Sequence, residues 1–202
     1  MNSIVLASTS PYRKMLLEKL AIPFATDKPD VDETPIPNES PDALVERLAV
    51  LKAQAVAKHH NNALIIGSDQ VAVHEGKILG KPHTKENARK QLLSFSGNRV
   101  TFLTGLCVLN TNTGEVKSLV EPFHVHFRTL KIDDINHYID VEQPLNCAGS
   151  FKSEGLGICL FNKLEGNDPN TLVGLPLIQL THLLSTFSYD VLTNAKHLSA
   201  NR

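Results

Sequence analysis

Cysteine is scarce: Cys107, Cys147 and Cys159 are the three in a chain of 202 residues, an odd number, widely spaced and without a C-x-x-C pair. That pattern excludes a disulfide framework, offers no zinc site and leaves reduced, buried thiols as the reading. Net charge is lacking too. Twenty Lys and Arg against 21 Asp and Glu give a formal charge of −1. The basic excess with which nucleic-acid binders neutralise phosphate is therefore absent, no nucleic-acid polymer is expected as a partner, and any basic groups that matter are local. No long apolar run occurs: MNSIVLASTSPYRK holds a short one, and no window elsewhere suffices to span a bilayer, so no membrane partner and a cytoplasmic location are expected. Repeats and low-complexity tracts are also missing. What is present is 42% hydrophobic residues, enough to bury one sizeable core unaided, and a single domain over residues 1–202 is expected, with room for two lobes.

Periodicity and turn chemistry divide the chain into a mixed α/β pattern. Residues 3–7 form a short apolar run; Ser8, Thr9 and Ser10 lead into Pro11, which favours the first helical position, and Leu16, Leu17 and Leu20 follow on one helix face. Arg13 and Lys14 lie in or beside that helix's first turn, where cations oppose the dipole and a bound anion would offset the misplacement. Residues 22–26 read as a strand and DKPDVDETPIPNESP, 27–41, as an acidic loop. Ser40 and Pro41 open a long helix whose apolar stripe runs Leu44, Leu48, Leu51 and Ala55, with Lys52 beside it. LIIGSDQVAV reads as a strand covered on both faces, followed by a Glu-Gly turn and a hairpin return over 77–79. A helix over 84–95, strands over 99–109 and 116–128 about the turn NTNTGE, and helices near 132–142 and 176–187 follow. The last ten or so residues read as frayed.

Several segments carry chemistry. ASTSPYR offers hydroxyls, helix-start N–H groups and a guanidinium, which suit phosphate oxygens, yet lacks the glycines and Lys-Ser/Thr of a P-loop; a plain helix cap is the other reading. Asp69, centred in an otherwise apolar strand, must be paired, protonated, metal-bound or at an exposed end. Lys52 beside an apolar stripe either snorkels to water or meets an anion. Glu33 is a candidate metal carboxylate, but Asp27, Asp30 and Asp32 share its loop and spacing does not separate them. Lys81 in GKP is held extended by Pro82, either aimed at a fixed point or simply at the surface. His124 and His126 share a strand face without a third ligand, Glu121 lying too near a proline, and read as structural or exposed. In NCAGSFKSEGLG, Gly155 and Gly157 allow close backbone approach to a ligand that Lys152 and Glu154 would recognise, unless the segment is a simple loop.

Taken in order, ASTSPYRKMLL at 7–17, Glu33, Lys52, GSDQV at 67–71, GKP at 80–82 and AGSFKSEG at 148–155 closely resemble the Maf family of nucleotide pyrophosphatases, over nearly the whole chain. The resemblance implies an elongated α/β fold of the Maf and inosine triphosphatase kind, a mixed sheet with flanking helices in two lobes around a nucleotide cleft, and frequent homodimers. It implies hydrolysis of a nucleoside triphosphate at the α-phosphate, a house-cleaning reaction releasing pyrophosphate. Asp69 is the implied proton acceptor. Ser8, Arg13, Lys52 and Lys81 would hold the phosphates, and Glu33 with Asp69 a divalent metal, magnesium or manganese and possibly cobalt, because hard oxygens suit those ions. Many relatives carry Arg, Thr and Gln where this chain has Tyr12, Gln70 and Glu154. These departures match the subgroup that acts on 7-methyl-GTP rather than on dTTP or UTP. A cationic methylated base favours an aromatic ring and a carboxylate, which Tyr12 and Glu154 supply, and Gln70 adds no charge to repel it. The alternatives are a dTTP or UTP pyrophosphatase and a nucleotide-binding regulator of septum formation without essential turnover.

Overall fold

The computed structural model describes residues 2–196; most of the tail read as frayed lies outside the described residues. Its seven-stranded mixed sheet has the order β2 (Phe24–Asp27), β1 (Ser3–Ala7), β3 (Ala63–His74), β5 (Arg99–Asn110), β6 (Val116–Phe127) and β7 (Phe161–Glu165), with β4 (Lys77–Leu79) paired to β3. β1 runs parallel to both β2 and β3, β4 turns back antiparallel on β3, and β7 is antiparallel to β6. Ile4 to Ala7 are all at most 2% exposed, as a parallel strand covered on both faces requires. The Glu-Gly turn behaves as expected: Glu75 and Gly76 both have positive φ, 49° and 75°, which a tight hairpin needs.

Helices α1 (Pro11–Glu18), α2 (Pro41–Ala57), α3 (Lys85–Phe95), α4 (Ile132–Glu142), α5 (Asn170–Val173), α6 (Leu177–Thr186) and α7 (Val191–Asn194) complete the chain, with 3₁₀ turns over Ala148–Ser150 and Leu156–Leu160. Ser10, Ser40 and Thr84 each accept a backbone N–H as N-caps of α1, α2 and α3. α1 stops at Glu18, because Ala21 takes a left-handed φ of 54°; Leu20 is therefore past the helix and only half-buried. Among the described residues no helix is long and apolar enough to cross a membrane.

By its internal contacts the chain divides into two compact units, one of Met1–Gln70, Thr104–Glu121 and Gly174–Arg202, the other of Val71–Leu103 and Pro122–Val173. In the first, Val5, Ala7, Ile65, Cys107 and Leu109 pack on Ala49, Ala53 and Val56 of α2. Small residues let that helix lie directly on the strands. A Cβ on Gly67 of β3 would stand 2.1 Å from the carbonyl oxygen of Ala49, and one on Gly105 of β5 2.1 Å from that of Val45, so no larger residue fits either place. The stripe that faces inward is Leu44, Val45, Leu48, Ala49, Lys52, Ala53 and Val56. Leu51 and Ala55 are only half-buried, and Lys52 lies in the stripe rather than beside it.

The second unit is built on rings. Phe127 meets Phe95, Phe151 and Phe161 at centroid distances of 5.1 to 5.5 Å, and Phe102 meets Phe151 at 5.3 Å, edge-on or tilted contacts that aromatic quadrupoles favour. Leu92, Ile135 and Ile139 fill the space around them. Of the three thiols, Cys107 alone is buried; Cys147 is half-buried and Cys159 exposed, a correction to the expectation that all three are interior. His124 shares a hydrogen bond with Thr101 at 3.0 Å and His126 with Glu165 at 2.9 Å, structural roles as expected.

Candidate active site

β1 delivers the chain to Ser8, which is buried and accepts the Ser10 N–H at 3.1 Å, leaving its own hydroxyl hydrogen outside that bond. Pro11 sets the first turn of α1, which has no acidic residue, and Arg13 projects from it. The Arg13 Nε donates to the carbonyl oxygen of Gly174 at 2.9 Å, and that oxygen also accepts the hydroxyl of fully buried Ser68 at 2.9 Å. Burial pulls the guanidinium pKa below its usual value, while Asp69 and Glu33 push it back up; so basic a group stays cationic. Gly174 has φ of 111°, and a Cβ there would meet Arg13 Nε at 3.3 Å. Only glycine takes that conformation without strain and leaves the guanidinium its place. Ser68 lies inside GSDQV but was not singled out there, and Gly174 belongs to no quoted segment; the φ that marks Gly174 is invisible before the backbone is known.

The close seat of α2 on Gly67 brings Lys52 over Asp69, two residues further along β3. The Lys52 Nζ lies 2.6 Å from Asp69 Oδ1 and 2.7 Å from Glu33 Oε1. Lys52 is 6% and Asp69 8% exposed, so each requires the other: an unpaired charge at such burial costs several kcal/mol, on the order of 3–5 when one partner of a buried pair is removed. The snorkelling alternative for Lys52 is thereby excluded. Glu33 itself is largely exposed. Its neighbours are engaged elsewhere, Asp27 with His59 and His60 at 3.3 and 3.0 Å and Asp32 with the Thr34 N–H at 2.9 Å, and Asp30 is exposed.

A second pairing fixes the loop that carries Glu33. Arg47 of α2 grips Glu39 through two bonds of 2.6 and 2.8 Å and reaches the Thr34 carbonyl oxygen at 3.2 Å. That fork holds the Glu39 carboxyl down to about 2, well below the usual range. Sequence reasoning missed this anchor as well, since its partners are eight residues apart across a loop. Gln70 donates to the hydroxyl of fully buried Thr104 at 2.9 Å, which orients its carboxamide. Tyr12 beside Arg13 is 40% exposed.

The second unit carries the remaining candidates. Lys81 is exposed, on a loop held by α3: Gln91 donates to the Gly80 carbonyl at 3.1 Å and Asn87 to that of Pro82 at 3.0 Å. Glu154 is exposed and accepts the Ser153 hydroxyl at 3.1 Å. Lys152 is not available to a ligand in the way expected, because its ammonium is bound by Glu142. Gly157 serves its own chain too: a Cβ there would stand 2.3 Å from the Lys152 carbonyl oxygen.

Among the described residues no cluster of three or more His, Cys, Asp or Glu side chains is placed to hold a metal. Two carboxylates meeting on one ammonium are nonetheless a hard-oxygen pair. Magnesium is ordinarily held by one or two carboxylates together with substrate phosphates, so Glu33 and Asp69 fit such an ion when an anionic substrate completes its shell.

The cluster thus holds fixed charges of both signs, Lys52 and Arg13 against Asp69 and Glu33, and comparison with known proteins supplies the class. The family model for Maf-like proteins matches residues 3–187, and the chain belongs to that family. Among its relatives, a protein of Colwellia psychrerythraea named 7-methyl-GTP pyrophosphatase is 61% identical over 98% of this chain and 100% of its own length. Proteins of the same name from Pseudoalteromonas translucida and Alcanivorax borkumensis are 59% identical over 94% of both chains, and 60% identical over 91% of this chain and 93% of the relative.

Proposed function

We propose that this protein is a nucleoside triphosphate pyrophosphatase that hydrolyses 7-methyl-GTP to 7-methyl-GMP and pyrophosphate. The observation that carries the reading is the buried Lys52–Asp69 pair extended by Glu33, supported by relatives of about 60% identity that bear that activity in their names. A triphosphate brought beside two carboxylates is repelled unless cations offset them. Lys52 and Arg13, the latter fixed by Gly174, together offset the two carboxylates, and Lys81 and the Ser8 hydroxyl contribute further phosphate contacts. The Asp69 carboxylate takes a proton from a water molecule while the water oxygen bonds to the α-phosphorus; the bond from that phosphorus to the α,β-bridging oxygen breaks, and pyrophosphate leaves with the electron pair. Glu33 and Asp69 are the residues that would hold a divalent metal, magnesium or manganese and in third place cobalt, which supplies charge neutralisation on the phosphates when bound. Tyr12 offers its ring to the cationic base, Glu154 a carboxylate to the N1 and N2 donors, and Gln70, oriented by Thr104, a neutral amide. Drawing on nucleotide pools places the work in the cytoplasm.

The test is pyrophosphate release from a panel of 7-methyl-GTP, GTP, UTP and dTTP with each of the three metals. The highest kcat/KM is expected for 7-methyl-GTP. Equal values for 7-methyl-GTP and UTP would overturn the substrate assignment and leave the pyrophosphatase; binding without turnover of any of them would overturn the enzyme in favour of a regulator.

A further inference from the structure

The short segment from Lys152 to Leu156 is held at both ends by a single helix. Lys152 donates its backbone N–H to the Tyr138 Oη at 3.1 Å, and its ammonium to Glu142 Oε1 at 3.1 Å and to the Glu142 carbonyl oxygen at 2.9 Å. At the other end the Leu156 N–H donates to Glu142 Oε2 at 2.9 Å. Tyr138 and Glu142 are one turn apart on α4, so they present to the same side. One carboxylate therefore spans the segment, an oxygen on each end, with Glu154 midway between. Gly155 makes the span possible: a Cβ there would stand 2.8 Å from Glu142 Oε2. The Leu156 N–H first, and Lys152 after it, hold the Glu142 carboxyl below the ordinary range against the opposing effect of burial, as expected of a carboxylate engaged by several donors.

We propose that Glu142 is a specificity-positioning residue, whose carboxylate fixes the segment that presents Glu154 to the nucleobase. The inference rests on the reading that Glu154 recognises the methylated base. A carboxylate that accepts from two adjacent donors must satisfy two distances at once, and an exposed glutamate on an untethered segment does not hold that geometry. Glu142 touches no substrate; it acts through Glu154. Lys152, two residues before the recognition residue and cationic, is kept by the same carboxylate from turning toward a cationic base.

The test uses the full-length enzyme with 7-methyl-GTP and UTP, comparing the unaltered protein with Glu142→Gln, Gly155→Ala, Glu154→Gln and the double variant of Glu142→Gln with Glu154→Gln. Glu142→Gln is expected to raise KM for 7-methyl-GTP about tenfold with kcat within about twofold, so that the ratio of kcat/KM for 7-methyl-GTP over UTP falls about tenfold. Gly155→Ala keeps every charge, and its φ of −121° is open to alanine; by pushing on the carboxylate it should lower the ratio in the same way. The double variant should match Glu154→Gln alone, because the effect passes through Glu154. If Glu142→Gln and Gly155→Ala leave the ratio intact while Glu154→Gln collapses it, the role of Glu142 is overturned and the reading of Glu154 stands. A further fall in the double variant also overturns it. An unaltered enzyme whose ratio is already near one removes the base reading, and the role of Glu142 with it.

Discussion

Gly67→Ala tests whether the seat of α2 sets the chemistry. The added Cβ would stand 2.1 Å from the Ala49 carbonyl oxygen, where ordinary contact begins at 3.4 Å, and 3.1 Å from the Ala53 Cβ. The obstacle is backbone rather than a flexible side-chain end, so α2 must retreat from β3 by roughly 1 Å. Overpacking of this kind costs about 1–3 kcal/mol. For a chain of about 200 residues that lowers Tm by roughly 3–10 °C. The same retreat acts on the site, because Lys52 follows Ala49 by three residues on the helix and Asp69 follows Gly67 by two on the strand. Their contact of 2.6 Å lengthens toward the limit of a hydrogen bond, and a misplacement of about 1 Å in a catalytic group costs on the order of 100-fold in rate. Calorimetric melting and pyrophosphate release from 7-methyl-GTP read the two effects, with the melting of Gly80→Ala as control, since nothing lies within 4 Å of a Cβ there. A Gly67→Ala protein that melts within about 1 °C of the unaltered one and turns over within about twofold of it would refute the argument.

Asp69→Asn should lower kcat at least about a hundredfold, the usual contribution of a positioned base; near-normal turnover of the folded variant removes Asp69 from that role. Glu39, held down to about 2 by Arg47, has a folded value below its unfolded one, so its pairing stabilises above about pH 4.5 and the contribution disappears as pH falls through about 2. The difference in Tm between the unaltered protein and Glu39→Gln should therefore shrink from pH 5 to pH 2; a difference that stays constant across that window contradicts the pairing. Burial pushes the Cys107 thiol up to about 12, so a thiol reagent at pH 8 should modify exposed Cys159 first and Cys107 only on unfolding. Modification of Cys107 before Cys159 in the folded protein would contradict its placement.

Most of the architecture was readable because its signals are local. Ser-Pro pairs mark the starts of α1 and α2, the apolar run through residue 73 marks β3, and NTNTGE marks the β5–β6 turn, with Gly114 at φ 73°. β7 was not readable: four of its five residues, Asn162 to Glu165, are exposed, so it has no apolar run to betray it. The stripe of α2 was right at Leu44 and Leu48 but drifted beyond them to Leu51 and Ala55, where Lys52, Ala53 and Val56 face inward, and it passed over Ala49 and Ala53, which meet Gly67. That small error hid the burial of Lys52. Among the loop acids, spacing alone did not separate Glu33 from Asp27, Asp30 and Asp32, because only the folded path of the loop brings one of them to Lys52. Gly174, Glu142 and the Arg47–Glu39 fork act through partners distant in sequence or through a backbone angle, and neither leaves a pattern in the chain.

Hydrolysis of 7-methyl-GTP in water enriched in oxygen-18, followed by phosphorus NMR or mass spectrometry of both products, tests the proposed reaction most directly. Water that attacks the α-phosphorus, the step proposed with Asp69 as proton acceptor, leaves the label in 7-methyl-GMP and none in pyrophosphate. Label recovered in pyrophosphate, or release of single inorganic phosphates, would place the attack on another phosphorus and contradict the mechanism.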